Sequence, residues 1–222
     1  YIANYRRRWP STSSAIYWMF NDSWPTVNGW GTFDYYLKRK LSFHPVRRAF
    51  APVSVFLADE EEKVAVYIVN DSANPLIFLL EAGSFIPTGS THRDSPLEVS
   101  VAPYTSCQAQ ILPRDPQRIH YAVLRDMQGQ VLAQDRLLLR PFKDWPVIPN
   151  PEIRVELVED EKGRCARYSS AAWVWGVVLD HTGEIDVQDD AFDLFPGVPY
   201  DVPLDVGETP RVVEFTGNQL LK

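Results

Sequence analysis

The residues best suited to chemistry lie together in Ile16-Tyr17-Trp18-Met19-Phe20-Asn21-Asp22-Ser23-Trp24-Pro25. Aromatic rings packed this densely, followed at once by an amide and a carboxylate, suit a surface that stacks on a sugar ring's apolar face and hydrogen-bonds its hydroxyls. The same spacing suits a buried aromatic core, and spacing alone leaves both readings open. Elsewhere the bland reading prevails. His44, His92, His120 and His181 have no partner at metal-ligand spacing, and Cys107 and Cys165, far apart in sequence, read as two separate thiols. Gly29-Trp30-Gly31 is too short and bulky for a phosphate cradle, and no serine lies in a Gly-x-Ser-x-Gly elbow. Asp186, Asp189, Asp190 and Asp193 are spaced as on a solvated strand face rather than a calcium loop. No metal or cofactor is expected.

The elements that must position these residues follow from composition and period. The chain has 222 residues and a formal charge of −7, a balance unsuited to binding a phosphate backbone, so nucleic acid is not an expected partner. Its longest apolar run, Pro75–Leu80, is far short of the roughly 20 residues of a membrane span, so no membrane partner is expected either. Nothing marks a compartment. Eighteen prolines against eleven glycines imply many short elements separated by stiffened turns.

Residues 1–51 differ from the rest: four of the seven tryptophans, Trp9, Trp18, Trp24 and Trp30, fall there. Ile2–Arg8 reads as the tail of a helix ended by Pro10, Ser13–Phe20 as a buried strand, and Thr32–Phe50 as a helix broken at Pro45. From residue 52 to 143 the period is two. Strands are expected at Val53–Leu57, Val64–Ile68, Leu76–Glu81, Leu97–Val101, Ser106–Ile111, Ile119–Arg125 and Gln130–Leu138, with Asp59–Glu62 as a hairpin tip. Residues 144–151, with three prolines, read as a stiff linker. Residues 152–222 then offer strands at Val155–Val158, Trp173–Leu179, Ala191–Phe195, Tyr200–Leu204 and Val212–Phe215, with a turn at Asp160–Gly163 and Trp173 and Trp175 as a buried pair. The fold class is mostly β: two immunoglobulin-like antiparallel β-sandwiches, the second smaller, preceded by a helix-strand-helix segment.

Trp18-Met19-Phe20-Asn21-Asp22-Ser23-Trp24-Pro25, with Tyr5-Arg6-Arg7-Arg8 before it and Trp30, Asp34-Tyr35, Lys40 and Arg47-Arg48-Ala49 after it, resembles the end of the catalytic (β/α)8 barrel in glycoside hydrolase family 2, in the β-mannosidase and exo-β-glucosaminidase branch. Asp189-Asp190-Ala191-Phe192-Asp193-Leu194-Phe195-Pro196-Gly197 is similar to a signature of that branch's C-terminal immunoglobulin-like domain. Met19, where glutamine is common, and Asp190-Ala191 depart from the pattern. The resemblance implies that residues 1–51 are the last piece of a barrel, with Trp18 in a sugar platform, Asn21 and Asp22 shaping a loop or contacting hydroxyls, and Trp24 on the same rim.

Members of this family are retaining glycosidases using two barrel glutamates, set about 5–5.5 Å apart. No Asn-Glu dipeptide occurs in this chain, and Glu81, Glu98, Glu152 and Glu184 fall in the sandwich or linker regions. The expectation is a non-catalytic C-terminal region, inactive alone because both glutamates lie upstream, whose partners are the rest of the barrel, the upstream domains and a β-glycoside. The alternative is a free-standing carbohydrate- or protein-binding module of two sandwiches.

Overall fold

The computed structural model describes residues 1–26, 28–161 and 163–220. The protein is mostly β, and its residues cluster into two compact units. The opening segment is divided between them: Tyr1–Ile16 groups with Arg48–Pro146, and Tyr17–Arg47 groups with the residues from Val147 onward. Among the described residues no helix is long and apolar enough to cross a membrane.

The first unit is a sandwich. One sheet has the order β1 (Val53–Glu60), β2 (Lys63–Asn70), β6 (Thr105–Pro113). The other runs β4 (Thr91–Arg93), β3 (Leu76–Phe85), β7 (Ile119–Arg125), β8 (Val131–Leu137), with β5 (Leu97–Val101) also paired to β3. All pairings are antiparallel, and β1 and β2 join at the acidic tip, where Glu60 pairs Lys63. Alternation decides which side chains meet: Val64, Val66 and Ile68 of β2 face Leu80 and Ala82 of β3 and Ala122 and Leu124 of β7 in one core. Each large residue so buried contributes about 1.5–3 kcal/mol. Helix α1 (Ile2–Arg6) is held to this sandwich by Arg6, whose guanidinium donates to the carbonyls of Ala49 and Ala51 and to Ser54 Oγ and pairs with Asp71.

The second unit contains two three-stranded sheets. One has β9 (Arg154–Asp160) and β13 (Tyr200–Pro203) flanking β10 (Gly163–Ser169); the other has β12 (Phe192–Leu194) and β14 (Phe215–Thr216) flanking β11 (Val174–Val178). Tyr168, Val174, Val177, Phe192, Leu194 and Val202 fill the core between them, with the rings of Phe192 and Tyr200 stacked 4.3 Å apart. The period-two reading of the sequence passed over β10 because its apolar positions are interrupted by Arg164 and Arg167; Arg167 is paired with Asp201 of β13 at 2.7 Å. The turn expected at Asp160–Gly163 includes Lys162, which lies outside the described residues.

A bulge between Val174 and Val177 breaks β11, and it assigns partners to residues that looked merely acidic. The freed N–H of Trp175 donates to Asn218 Oδ1 at 2.7 Å, and that of Gly176, at φ 58°, donates to Asp193 Oδ1 at 3.0 Å. Trp173 is buried, whereas Trp175 is half-buried against Gly217, where a β-carbon would fall 1.9 Å from its ring.

The Asp189–Asp193 stretch is therefore not the solvated strand face expected. Asp189, Asp190 and Asp193 are 8%, 1% and 6% exposed. Asp190 accepts the N–H groups of Leu179, Asp180 and Ala191, and Asp189 accepts the Tyr200 hydroxyl at 2.5 Å and the Asp190 N–H. Irregular backbone leaves donors that the neighbouring strands do not take, and these carboxylates take them. Of the four acids only Asp186 presents an exposed side chain.

Candidate functional site

Residues 17–47 belong to the second unit, and most of them form neither strand nor helix. The strand expected at Ser13–Phe20 is absent: these residues pair with no neighbour in a sheet, and the stretch is largely exposed. A strand needs partners on its edges for its backbone groups, and among the described residues no sheet offers one here. The helix expected across Thr32–Phe50 is confined to α2 (Phe43–Ala49), with Pro45 in its first turn, where a missing N–H breaks no bond. Upstream, Asp34 Oδ1 accepts the Lys38 N–H at 2.8 Å and Leu37 sits at φ 64°, closing a turn in place of a helix.

Segment 17–47 is nevertheless ordered by a small framework. Phe33 bridges both Asn21 and Arg39; the Asp22 N–H donates to Phe33 O, those of Thr32 and Phe33 to Phe20 O, and that of Lys40 to Thr32 O. The rings of Phe20, Phe33 and Phe43 form a ladder with centroids 4.8 and 5.0 Å apart. At its centre is Asp22, 3% exposed, with Lys40 Nζ 2.5 Å from Oδ2. Two glycines make room for this carboxylate: a β-carbon at Gly29 would lie 2.2 Å from Asp22 Oδ1, and one at Gly31 would lie 2.9 Å from the same oxygen.

The four candidate site residues thus separate. Asp22 faces inward on Lys40, and Asn21 is half-buried, its amide donating to Asp22 O at 3.2 Å. Trp18 and Trp24 face outward, 70% and 65% exposed, as does Trp30 at 78%. Their rings are free to stack on something flat and apolar, and the framework beneath fixes the backbone that presents them. Sequence reasoning did not single out Lys40 as the partner of Asp22: Lys38, Arg39 and Lys40 are adjacent cations, and only the fold shows that Lys40 is the one that meets Asp22.

The segment is seated on the second sandwich by charge. Lys38 pairs with Glu184 and Arg39 with Asp186, both at 2.5 Å. Arg39 also donates to Val187 O, and Arg47 to Gln188 O. Buried His44 and Arg47 each lie 3.4 Å from Asp189. The Glu184 carboxylate raises the Lys38 amine above its ordinary value, through a hydrogen bond and through its charge. Burial pushes the Asp180 carboxyl up, but hydrogen bonds from Thr182, Gly183 and Ile185 outweigh it and hold that group below the usual range. Burial likewise raises Asp190, against the pull of its three N–H donors.

No protein-family model matches the chain. It is 25% identical to beta-mannosidase B of Aspergillus clavatus over 96% of its own length and 28% of that protein. Among solved structures it resembles the β-D-mannosidase of Dictyoglomus thermophilum, with a TM-score of 0.81 and 22% identity, covering 94% of this chain and 26% of that one. It also resembles the exo-chitosanase of Amycolatopsis orientalis, with a TM-score of 0.61 and 16% identity, covering 86% of this chain and 28% of that one. The fold is shared with about a quarter of each of these solved enzymes, and the chain resembles the C-terminal region of family 2 glycoside hydrolases. More narrowly, the chain resembles the β-mannosidase and exo-β-glucosaminidase branch, as its two motifs indicated. It spans about 28% of the length of the curated relatives it matches.

Proposed function

We propose that this chain is the non-catalytic C-terminal region of a retaining exo-glycosidase acting on β-mannosides or related β-glycosides. In that reading the aromatic segment completes the enzyme's sugar-binding rim, and the reacting glutamates are carried by upstream sequence. The observation that carries it is the exposure of Trp18, Trp24 and Trp30 on a braced but unpaired segment, in a chain whose relatives are several times longer. Large exposed rings grouped on one stretch need a flat partner. Placed between its two neighbours in a barrel, this stretch would be covered on both faces and would present the residues at its C-terminal end to a sugar.

The roles in this reading are those the family resemblance implies. Trp18 stacks on the sugar's apolar face, Trp24 lines the rim, and Asn21 lies within reach of a hydroxyl only through the part of its side chain not engaged with Asp22 O. Asp22 shapes the loop from beneath. Hydrolysis by retention requires two carboxyl groups about 5–5.5 Å apart across the glycosidic bond, one as nucleophile and one as acid/base. The outward-facing side chains of residues 17–30 supply neither. The test is substitution of Trp18 by Ala in the complete gene product, with an aryl β-mannoside as substrate. A fall of tenfold or more in kcat/KM with an unchanged fold is the expected result, and an unchanged kcat/KM would remove Trp18 from the site.

A further inference from the structure

One loop, residues 180–186, makes several of the links between the sandwich and the aromatic segment. The Asp180 carboxylate gathers the N–H groups of Thr182, Gly183 and Ile185, drawing residues 180–185 into a tight turn. Gly183, at φ 67°, sits directly against the backbone of Arg39; a β-carbon there would fall 2.0 Å from Arg39 O and 2.8 Å from Arg39 N. On either side, Glu184 holds Lys38 and Asp186 holds Arg39. The next residue, Lys40, carries the ammonium that pairs with buried Asp22.

We infer that the Asp180–Asp186 loop is a positioning element for the aromatic segment: it fixes the backbone at Lys38–Lys40, and through Lys40 and Asp22 it sets where the Trp18–Trp24 stretch lies. The smaller sandwich then has a task beyond covering surface, since residues remote in sequence determine the geometry of the sugar-facing rim. That the rim faces sugar rests on the function proposed above; the positioning itself does not. Exposed ion pairs individually contribute little, so the steric seat of Gly183 against Arg39 is the dominant part and the ion pairs set its register. A side chain at Gly183 meets two obstacles together, a collision with backbone atoms and a left-handed φ.

The experiment is NMR on the complete chain carrying Gly183→Ala, and separately Arg39→Met and Arg39→Lys. The readouts are amide exchange at Asp22, Thr32, Phe33 and Lys40 and the contact between the rings of Phe20 and Phe33, with the indole of buried Trp173 reporting on the sandwich. Gly183→Ala is expected to speed exchange at those four amides tenfold or more and weaken the ring contact, with the Trp173 signal in place. Arg39→Met should do the same to a smaller extent, and Arg39→Lys should recover most of the protection. Unchanged exchange in Gly183→Ala would overturn the inference. If Gly183→Ala disturbs Trp173 as well, the Arg39 pair decides: protection lost in Met and regained in Lys supports it, and equal protection in both overturns it. None of these readouts uses a substrate, so their failure leaves the glycosidase reading standing, and loss of that reading leaves them meaningful.

Discussion

The pairing of Asp22 with Lys40 makes an asymmetric prediction. The Asp22 side chain is 3% exposed and that of Lys40 26% exposed, so removing one partner does not cost the same as removing the other. Lys40→Met keeps the apolar stem and leaves a carboxylate nearly sealed from water, flanked by Gly29 and Gly31 with no space to move. Asp22→Asn leaves an ammonium that can turn toward solvent. Breaking a fully buried pair costs roughly 3–5 kcal/mol. The partial exposure of Lys40 lowers this to about 3 kcal/mol for Lys40→Met and about 1–2 kcal/mol for Asp22→Asn, since an exposed charge is screened. The segment is tied to the rest of the second unit by few backbone bonds, so the loss appears as local opening. Native-state hydrogen exchange is the suitable assay. At 1.4 kcal/mol per factor of ten, the Lys40 and Thr32 amides should exchange about 100-fold faster in Lys40→Met and about tenfold faster in Asp22→Asn. The double variant should fall below the sum of the two. Equal effects, or a larger effect from Asp22→Asn, would refute the assignment of Asp22 as the sealed partner.

Three further outcomes follow. The Glu214 carboxylate hydrogen-bonds His181 and raises its pKa above the ordinary 6.5; because the folded state then holds the proton more tightly, this stabilisation is full below pH 6.5 and fades as pH rises through the folded value, and Glu214→Gln should bring the His181 NMR titration back down. Burial pushes the Tyr168 hydroxyl up to about 12, so Tyr168→Phe should delete a late step from the ultraviolet titration while the fold persists. Phe192, 1% exposed and stacked on Tyr200, should cost about 3–5 kcal/mol in urea denaturation when changed to Ala.

The sandwiches were legible because their physics is local. Val64, Val66 and Ile68 alternate with the period of a strand, although the structure buries Ala65 and Val69 on the other face as well, and the acidic tip between two such runs is a hairpin end. Leu97–Val101 and Ile119–Arg125 fall where the period placed them. β10 was missed because its cross-strand partners, not its own residues, neutralise Arg164 and Arg167. The Asp189–Asp193 stretch was misjudged because a carboxylate's alternation says nothing about the donors it meets: the bulge in β11 frees one for Asp193, and Asp190 takes those of Leu179, Asp180 and Ala191. The aromatic segment was recognised by its residues and not by its conformation. Ser13–Phe20 has the composition of a barrel strand, yet strand structure is a property of pairs, and among the described residues none pairs with it in a sheet. The inward turn of Asp22 likewise depended on Lys40, Gly29 and Gly31, which only the tertiary fold brings together.

The most direct measurement is turnover of an aryl β-mannoside by the purified 222-residue chain and, beside it, by the full product of its gene. The account predicts no release of the aryl group by the 222-residue chain and measurable release by the full product. Hydrolysis by this chain on its own would contradict it, because the reacting carboxylates would then lie within residues 1–222.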